Sequence, residues 1–229
     1  MTSEALLTFQ NLGKQYGYQW AVKSASGEIC NGRYISLFGV NGAGKTTLLY
    51  LLSGVYRPHH GEITHAAGVE KDHMHLLSHQ SMFYSRLNAI DNLNFFQSLH
   101  GKTDPAKIKK VLEYTGLYSH RLKTVDGYSR GMIQRLMIAR LILARPRLVF
   151  FDEPFTGLDI QGQRMLIEIL KQRGLSDFNW KIDSYVFVDH DIERAYDYCD
   201  HVWYIEPGKL HPLADKKEIS LEHLKEKMS

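Results

Sequence analysis

Five short apolar runs, rich in β-branched and aromatic residues, punctuate the chain at positions 6–9, 34–38, 148–151, 185–188 and 202–205. Runs of this length, apolar at successive positions, predict strands buried on both faces, as in a mostly parallel sheet. A glycine-rich turn follows the second run. Beyond it, positions 45–54 carry an apolar stripe that predicts a helix stopped at Gly54. Positions 85–144 have another texture, with no convincing strand and with helix-like patterns at 87–100, 105–115 and 132–144. In the last of these Ile133, Leu136, Met137, Leu141 and Ala144 fall on one helical face, and Pro146 ends the helix. The pattern therefore predicts an α/β core made of residues 1–84 and 145–229, with an α-helical subdomain inserted at 85–144. No repeat or Ser/Gly-rich linker separates the two, so they are expected to pack as one body. The charged stretch 216–229 predicts a terminal helix.

Composition narrows the class without naming it. With 229 residues, 44% hydrophobic and 23% charged, the chain falls in the ordinary folded range, which excludes disorder as the main state. No stretch approaches about 18 consecutive apolar residues, and the N-terminus lacks the basic-then-apolar layout of a signal peptide, so a cytoplasmic location is expected. Cys30 and Cys199 form no spaced ligand cluster. A formal charge of +3 is too mild to suggest a nucleic-acid partner. Six of the twelve histidines lie between His59 and His79, but their spacing puts no ligand set on one helical face, so solvated loop and strand positions are expected rather than a metal site.

Chemistry enters with the turn after the second run. Gly39, Val40, Asn41, Gly42, Ala43, Gly44, Lys45 and Thr46 fit G-x-x-x-x-G-K-[ST] between a predicted strand and a predicted helix. Glycines there let backbone N–H groups turn inward on phosphate oxygens, Lys45 adds a point charge, and the Thr46 hydroxyl can reach Mg²⁺. Asp152 and Glu153 follow another predicted strand, at the sheet edge where α/β folds bind ligands. Asp152 would hold Mg²⁺ and Glu153 would polarise an attacking water. Alone, the acid pair would read as a helix cap; with the glycine loop it points to a nucleoside triphosphatase.

From about Leu6 to Leu210 the sequence resembles the nucleotide-binding subunits of ATP-binding cassette (ABC) transporters. The resemblance rests on the glycine loop and acid pair, and on Gln80 after an early strand. It rests equally on Tyr128, Ser129, Arg130, Gly131 and Met132 at the signature, on Thr156 to Asp159 at the dimer-interface loop, on His190 at a strand end, and on Tyr16. It implies an ABC-type ATPase core with a mostly parallel sheet, an N-terminal antiparallel β subdomain and an inserted helical subdomain carrying the signature. By the same resemblance Tyr16 stacks on adenine, and Gly39, Asn41, Gly42, Ala43, Gly44, Lys45, Thr46 and Thr47 hold the phosphates. Asp152, Thr46 and Gln80 serve Mg²⁺, with Glu153, His190 and Gln80 catalytic. Ser129, Gly131 and Asp159 would meet nucleotide across a head-to-tail dimer of two such subunits. The implied cofactors are ATP and Mg²⁺, and the implied partners are a second nucleotide-binding subunit and an integral-membrane permease that holds the chain at the cytoplasmic face.

The departures are specific. Tyr128, Arg130 and Met132 replace commoner signature residues, and together with the run after Glu153 and Pro154 they look like haem-exporter-type ATPases, which implies export. Arg130 would contact ATP, a partner chain or solvent. Asp189 stands where the family commonly has threonine, and 171–183 looks long and polar. Met82, Phe83, Tyr84 and Leu87, with Phe95 and Phe96, would either line a groove for a short permease helix or form ordinary core. The competing reading, a soluble ABC ATPase acting on nucleic acid or ribosomes, lacks a tandem cassette, a long coiled coil and a basic block.

Overall fold

Local pattern becomes architecture in a computed structural model that describes residues 4–78, 80–101 and 103–228. In chain order the strands are β1 (Ala5–Tyr16), β2 (Gln19–Cys30), β3 (Tyr34–Phe38), β4 (His60–His65), β5 (Met74–Ser78), β6 (Leu148–Asp152), β7 (Gly174–Leu175), β8 (Trp180–Lys181), β9 (Ser184–Val188), β10 (His201–Glu206) and β11 (Gly208–Asp215). The helices are α1 (Lys45–Leu52), α2 (Ala89–Ser98), α3 (Pro105–Tyr114), α4 (Arg130–Ala144), α5 (Ile160–Gln172), α6 (Ile192–Asp197) and α7 (Leu221–Met228). The chain divides into two units, one of Met1–Leu76, Arg147–Glu153 and Ile182–Ser229, the other of Leu77–Pro146 and Pro154–Lys181.

In the first unit the sheet runs in the order β4-β1-β2-β11-β10-β3-β9-β6-β5. Every residue of β3, β6 and β9 is buried, as continuous apolar runs require, and these three pair in parallel. β10 continues the parallel set beside β3 and turns back antiparallel into β11. The other flank is antiparallel, β1 lying between β2 and β4. The run at 6–9, expected among the strands of a mostly parallel sheet, thus belongs to the antiparallel set that the family resemblance implied. It is only the start of a twelve-residue strand whose second half is polar and bulged, which is why periodicity stopped early. α1 buries Leu48, Leu49, Leu51 and Leu52 completely in the core that includes Ile35, Leu37, Phe150 and Trp203. At about 25 cal/mol per Å² of apolar surface removed from water, each such leucine contributes roughly 1.5–3 kcal/mol. The expected stop is present: α1 ends at Leu52, and Gly54 has φ 74°.

The second unit is built around α4, against which α2, α3 and α5 all pack. The one-sided stripe expected for α4 needs correction: Ala144 is exposed, while Gln134, Ile138, Ala139, Ile142 and Leu143 are buried beside Leu136, Met137 and Leu141. A helix with neighbours on several sides is buried nearly all round. Helix α5 was not anticipated from sequence, although Met165, Leu166, Ile169 and Leu170 give it a buried face and Asp159 caps it. The stretch that reads as long and polar, 171–183, holds the short hairpin β7–β8. Leu175, Phe178 and Trp180 are buried, the Trp180 indole N–H donates to the Pro146 carbonyl at 2.9 Å, and Lys110 lies 4.8 Å from the Phe178 ring centre. A few large aromatics in a polar stretch carry its packing. At the C-terminus, α7 supplies the expected helix after a single 3₁₀ turn. His79, Lys102 and Ser229 lie outside the described residues.

Candidate functional site

Strand β3 delivers the chain into a loop that only glycine fits. Gly39 has φ 154°, and a Cβ there would stand 2.3 Å from the Ile205 carbonyl oxygen; Gly44 has φ 102°, with its Cβ 2.1 Å from the Ala21 carbonyl oxygen. Gly42, at φ 81°, faces open space, so backbone conformation alone demands glycine there. The loop closes with the Ala43 N–H donating to the Val40 carbonyl at 3.1 Å. α1 then starts with no side-chain cap and no acid in its first turn, which leaves N–H groups and the positive end of the helix dipole for an anion. The Lys45 ammonium donates to the carbonyls of Gly39 at 2.7 Å and Val40 at 3.1 Å. Burial pushes its pKa down, while the charges of Glu153 and Asp152 oppose that shift.

The next residue ties the loop to the far side of the sequence. The Thr46 hydroxyl donates to Asp152 Oδ1 at 3.0 Å, and Asp152 is only 1% exposed at the end of β6. A hydroxyl and a carboxylate side by side at a sheet edge are the hard oxygen donors that suit Mg²⁺. Glu153, one residue on, has φ 49°, a left-handed conformation that costs a non-glycine residue about 1–2 kcal/mol. Its N–H donates to the Val188 carbonyl at 2.8 Å, so the end of β9 holds it there. Glu153 lines a cavity of about 410 Å³ together with Tyr16, Trp20, Asn41, Lys45, Thr46 and Thr47. Tyr16 is 49% exposed, edge-on to Tyr56 at 6.4 Å. Trp20, missed by sequence reasoning, joins the cavity because β2 pairs with β1 across the hairpin, a register that motif spacing does not encode. His190 follows β9 by two residues, and β9 lies between β3 and β6, so the histidine sits on the same carboxyl edge as the loop and the two acids. Its side chain is exposed.

The remaining expected residues belong to the second unit. Gln80 is exposed, two residues beyond β5. Ser129 caps α4, its hydroxyl accepting from the Met132 N–H at 3.2 Å. Asp159 caps α5 through the Gly162 N–H at 2.9 Å and pairs with Arg135 at 3.2 Å. Gly131 lies so close that a Cβ would stand 2.9 Å from Asp159 Oδ2. The signature departures also have local partners. The Tyr128 ring is buried and its hydroxyl donates to the His120 carbonyl at 2.9 Å, while Arg130 is exposed and lies over Gly157, where a Cβ would meet its Nε at 2.4 Å.

Elsewhere on this unit, Met82, Tyr84 and Leu87 are exposed and Phe83, Phe95 and Phe96 half-buried, the rings meeting edge-on. Buried Asn92 holds the loop in place, accepting from the Tyr84 N–H at 2.9 Å and donating to the carbonyls of Tyr84, Leu87 and Asn88. The Arg140 guanidinium stacks 3.8 Å from the Phe96 ring centre, and burial lowers its pKa to about 10. In the first unit the histidines serve local structure: His59 Nδ1 accepts from the Gln15 N–H at 3.2 Å, and the His60 ring lies 5.1 Å from that of Trp20.

Gripping a polyphosphate on loop backbone and lysine, beside acids placed for a cation and a water, is the work of P-loop nucleoside triphosphatases. Within that class the chain belongs to the ABC transporter family, whose model matches residues 22–156, and it is an ATP-binding, ATPase subunit of that family. It is 32% identical to the uncharacterized ABC transporter ATP-binding protein YdbJ of Bacillus subtilis (strain 168), over 96% of this chain and 71% of that one. It is 33% identical to the bacitracin transport ATP-binding protein BcrA of Bacillus licheniformis, over 95% of this chain and 70% of that one. Among solved structures, an ATP-binding subunit of an ABC transporter shares the fold with a TM-score of 0.79 at 23% identity, covering 96% of this chain and 98% of that chain. No helix among the described residues is long and apolar enough to cross a membrane.

Proposed function

We propose that the chain binds ATP with Mg²⁺ in the cavity at the glycine loop, hydrolyses it, and energises a separate membrane permease, in the direction of export. Tyr16 stacks on the base, the N–H groups of the loop from Gly39 to Thr47 and the Lys45 ammonium hold the phosphates, and Thr46 with Asp152 would hold Mg²⁺. That ion, when bound, neutralises charge on the phosphate oxygens. Glu153 accepts a proton from a water whose oxygen attacks the γ-phosphorus; the bond to the bridging oxygen breaks, leaving ADP and phosphate. His190 supports charge on the γ-phosphate from the β9 end, and Gln80 senses water and cation. Two copies meet head to tail, so that Ser129, Gly131 and Asp159 of one reach the nucleotide of the other. Met82, Phe83, Tyr84 and Leu87 receive a short permease helix, which keeps the chain at the cytoplasmic face of the membrane.

The observation that carries this reading is the Thr46 to Asp152 hydrogen bond with Glu153 lining the same cavity as the glycine loop, since residues about a hundred positions apart converge on one cavity. The direction of export rests on the likeness of Tyr128, Arg130 and Met132, and of the run after Glu153 and Pro154, to haem-exporter-type ATPases. The test is Glu153→Gln, which keeps shape and removes the base. Turnover is expected to fall about 10²–10⁴-fold while ATP binding persists and an ATP-dependent dimer accumulates. Wild-type turnover in a monomeric variant would remove both the base and the dimer from the reading.

A further inference from the structure

The cavity has a phosphate end, lined by the glycine loop and the start of α1, and a hairpin end lined by Tyr16, Gln19, Trp20 and Ala21. The β1–β2 hairpin closes through the two-residue turn of Gly17 and Tyr18, with Gly17 at φ 56°, and its last pair sets Tyr16 directly opposite Gln19. Directly opposed residues of an antiparallel pair share a face, with Cβ atoms about 5 Å apart, so Gln19 projects beside Tyr16. Ala21, two residues further along β2, shares that face. Its carbonyl lies against the phosphate loop, where a Cβ on Gly44 would approach it to 2.1 Å. From Ala21 back to Gln19 the strand covers about 7 Å, leading away from the loop and toward the turn. Trp20, between them, packs its ring 5.1 Å from that of His60 and 6.4 Å from that of His59. Gln19 is exposed, and its carboxamide bonds to no described residue. One acceptor oxygen and one NH₂ donor are thus left over beside Tyr16, at the hairpin end of the cavity.

Stacking on a tyrosine holds any base, because every base has a π-face, and it makes no choice between base edges. Choice needs donors and acceptors in the plane of the base. A carboxamide meets an adenine edge with both, its oxygen accepting from the 6-amino group while its NH₂ donates to the neighbouring ring nitrogen. We infer that Gln19 is a specificity-determining residue, its carboxamide oxygen accepting from the 6-amino group of the base that stacks on Tyr16. This assignment rests on the proposed stacking and adds to it the group of the base that the protein reads. Guanine presents a donor and an acceptor in exchanged positions, which a turned carboxamide meets as well. The 6-amino group itself, rather than ATP against GTP, is therefore the discriminating probe.

The test measures dissociation constants of the full chain by calorimetry in EDTA, so that no turnover runs. The ligands are ATP, purine riboside 5′-triphosphate, in which hydrogen replaces the 6-amino group, and 2′-deoxyATP. In the wild type, losing the amino group is expected to cost about 2–10-fold in affinity, the worth of one hydrogen bond. In Gln19→Ala, ATP should bind more weakly by at least that factor, and ATP and the amino-free analogue should bind alike. Gln19→Glu keeps the acceptor oxygen and loses the donor, so the preference for ATP should return, whatever the added charge does to both affinities together. Melting temperatures without nucleotide should stay within about 2 °C of the wild type, as for other exposed side chains. A bystander role predicts an amino-group preference of the same size in wild type and Gln19→Ala, and that result overturns the inference. A Gln19→Ala change that instead erases a preference for ATP over 2′-deoxyATP assigns the amide to the ribose and overturns it too. Tyr16→Ala separates the two readings, since it should weaken ATP and the amino-free analogue alike by at least about five-fold. If it does, and Gln19→Ala leaves the amino-group preference in place, the inference falls and the stacking stands; wild-type affinity in Tyr16→Ala removes both.

Discussion

Two glycines two residues apart in one loop should respond to the same methyl group quite differently. Gly42 and Gly44 both have positive φ, 81° and 102°, so alanine at either position forces an L-residue into the left-handed region. That conformational cost is about 1–2 kcal/mol. At Gly42 nothing lies within 4 Å of the new methyl group, so the cost ends there. At Gly44 the methyl carbon would stand 2.1 Å from the Ala21 carbonyl oxygen and 3.4 Å from Val22 Cγ2. The first of these is backbone of β2, which cannot rotate away as a flexible side chain would. Overpacking of this kind adds about 1–3 kcal/mol, which brings Gly44→Ala to roughly 2–5 kcal/mol. For a chain of this size each kcal/mol lowers the melting temperature by about 2–4 °C. Gly42→Ala should therefore melt a few degrees below the wild type and Gly44→Ala clearly below both. Differential scanning calorimetry at fixed protein concentration without nucleotide reads this order directly, and titration with ATP and Mg²⁺ reads its consequence. Gly44→Ala displaces the first turn of α1 against β2 and should lose most ATP binding; Gly42→Ala keeps the helix start and should lose less. Equal melting temperatures for the two variants would refute the reasoning, because only the Ala21 contact separates them.

Other expectations follow from single contacts. Trp180→Ala removes a buried indole and its hydrogen bond to the Pro146 carbonyl, and chemical denaturation should show a loss of about 3–5 kcal/mol, whereas a surface-loop role for 171–183 predicts almost none. Tyr84→Asp puts a charge on an exposed aromatic patch; it should leave ATP binding intact and abolish co-purification with a co-expressed permease, and retained co-purification would remove the patch as the docking surface.

Much of this was written locally. The glycine loop, its lysine and threonine, and the acids at the end of β6 are legible because each is a short motif whose chemistry depends on adjacent residues and on one strand or helix boundary. The parallel strands are legible for a similar reason: burial on both faces leaves a continuous apolar run, as in β3, β6 and β9. Where burial is one-sided or carried by a few aromatics, the pattern thins. β2 and β4 mix polar and apolar positions at bulged antiparallel pairings, and 171–183 hides Phe178 and Trp180 among polar neighbours.

What only the tertiary structure decided is who meets whom. Sequence names Thr46 and Asp152 as candidates, but their 3.0 Å contact exists because helix α1 packs against strand β6. Sequence marks Asp189 as a departure, but its fork with Arg194 needs the first turn of α6 to lie back against the end of β9. The strained φ of Glu153 likewise depends on a hydrogen bond to a neighbouring strand. Local chemistry is set by residues a few positions apart, which sequence displays; a site is set by distances between residues far apart in the chain, and those distances exist only once burial of the apolar runs has fixed the order of the strands.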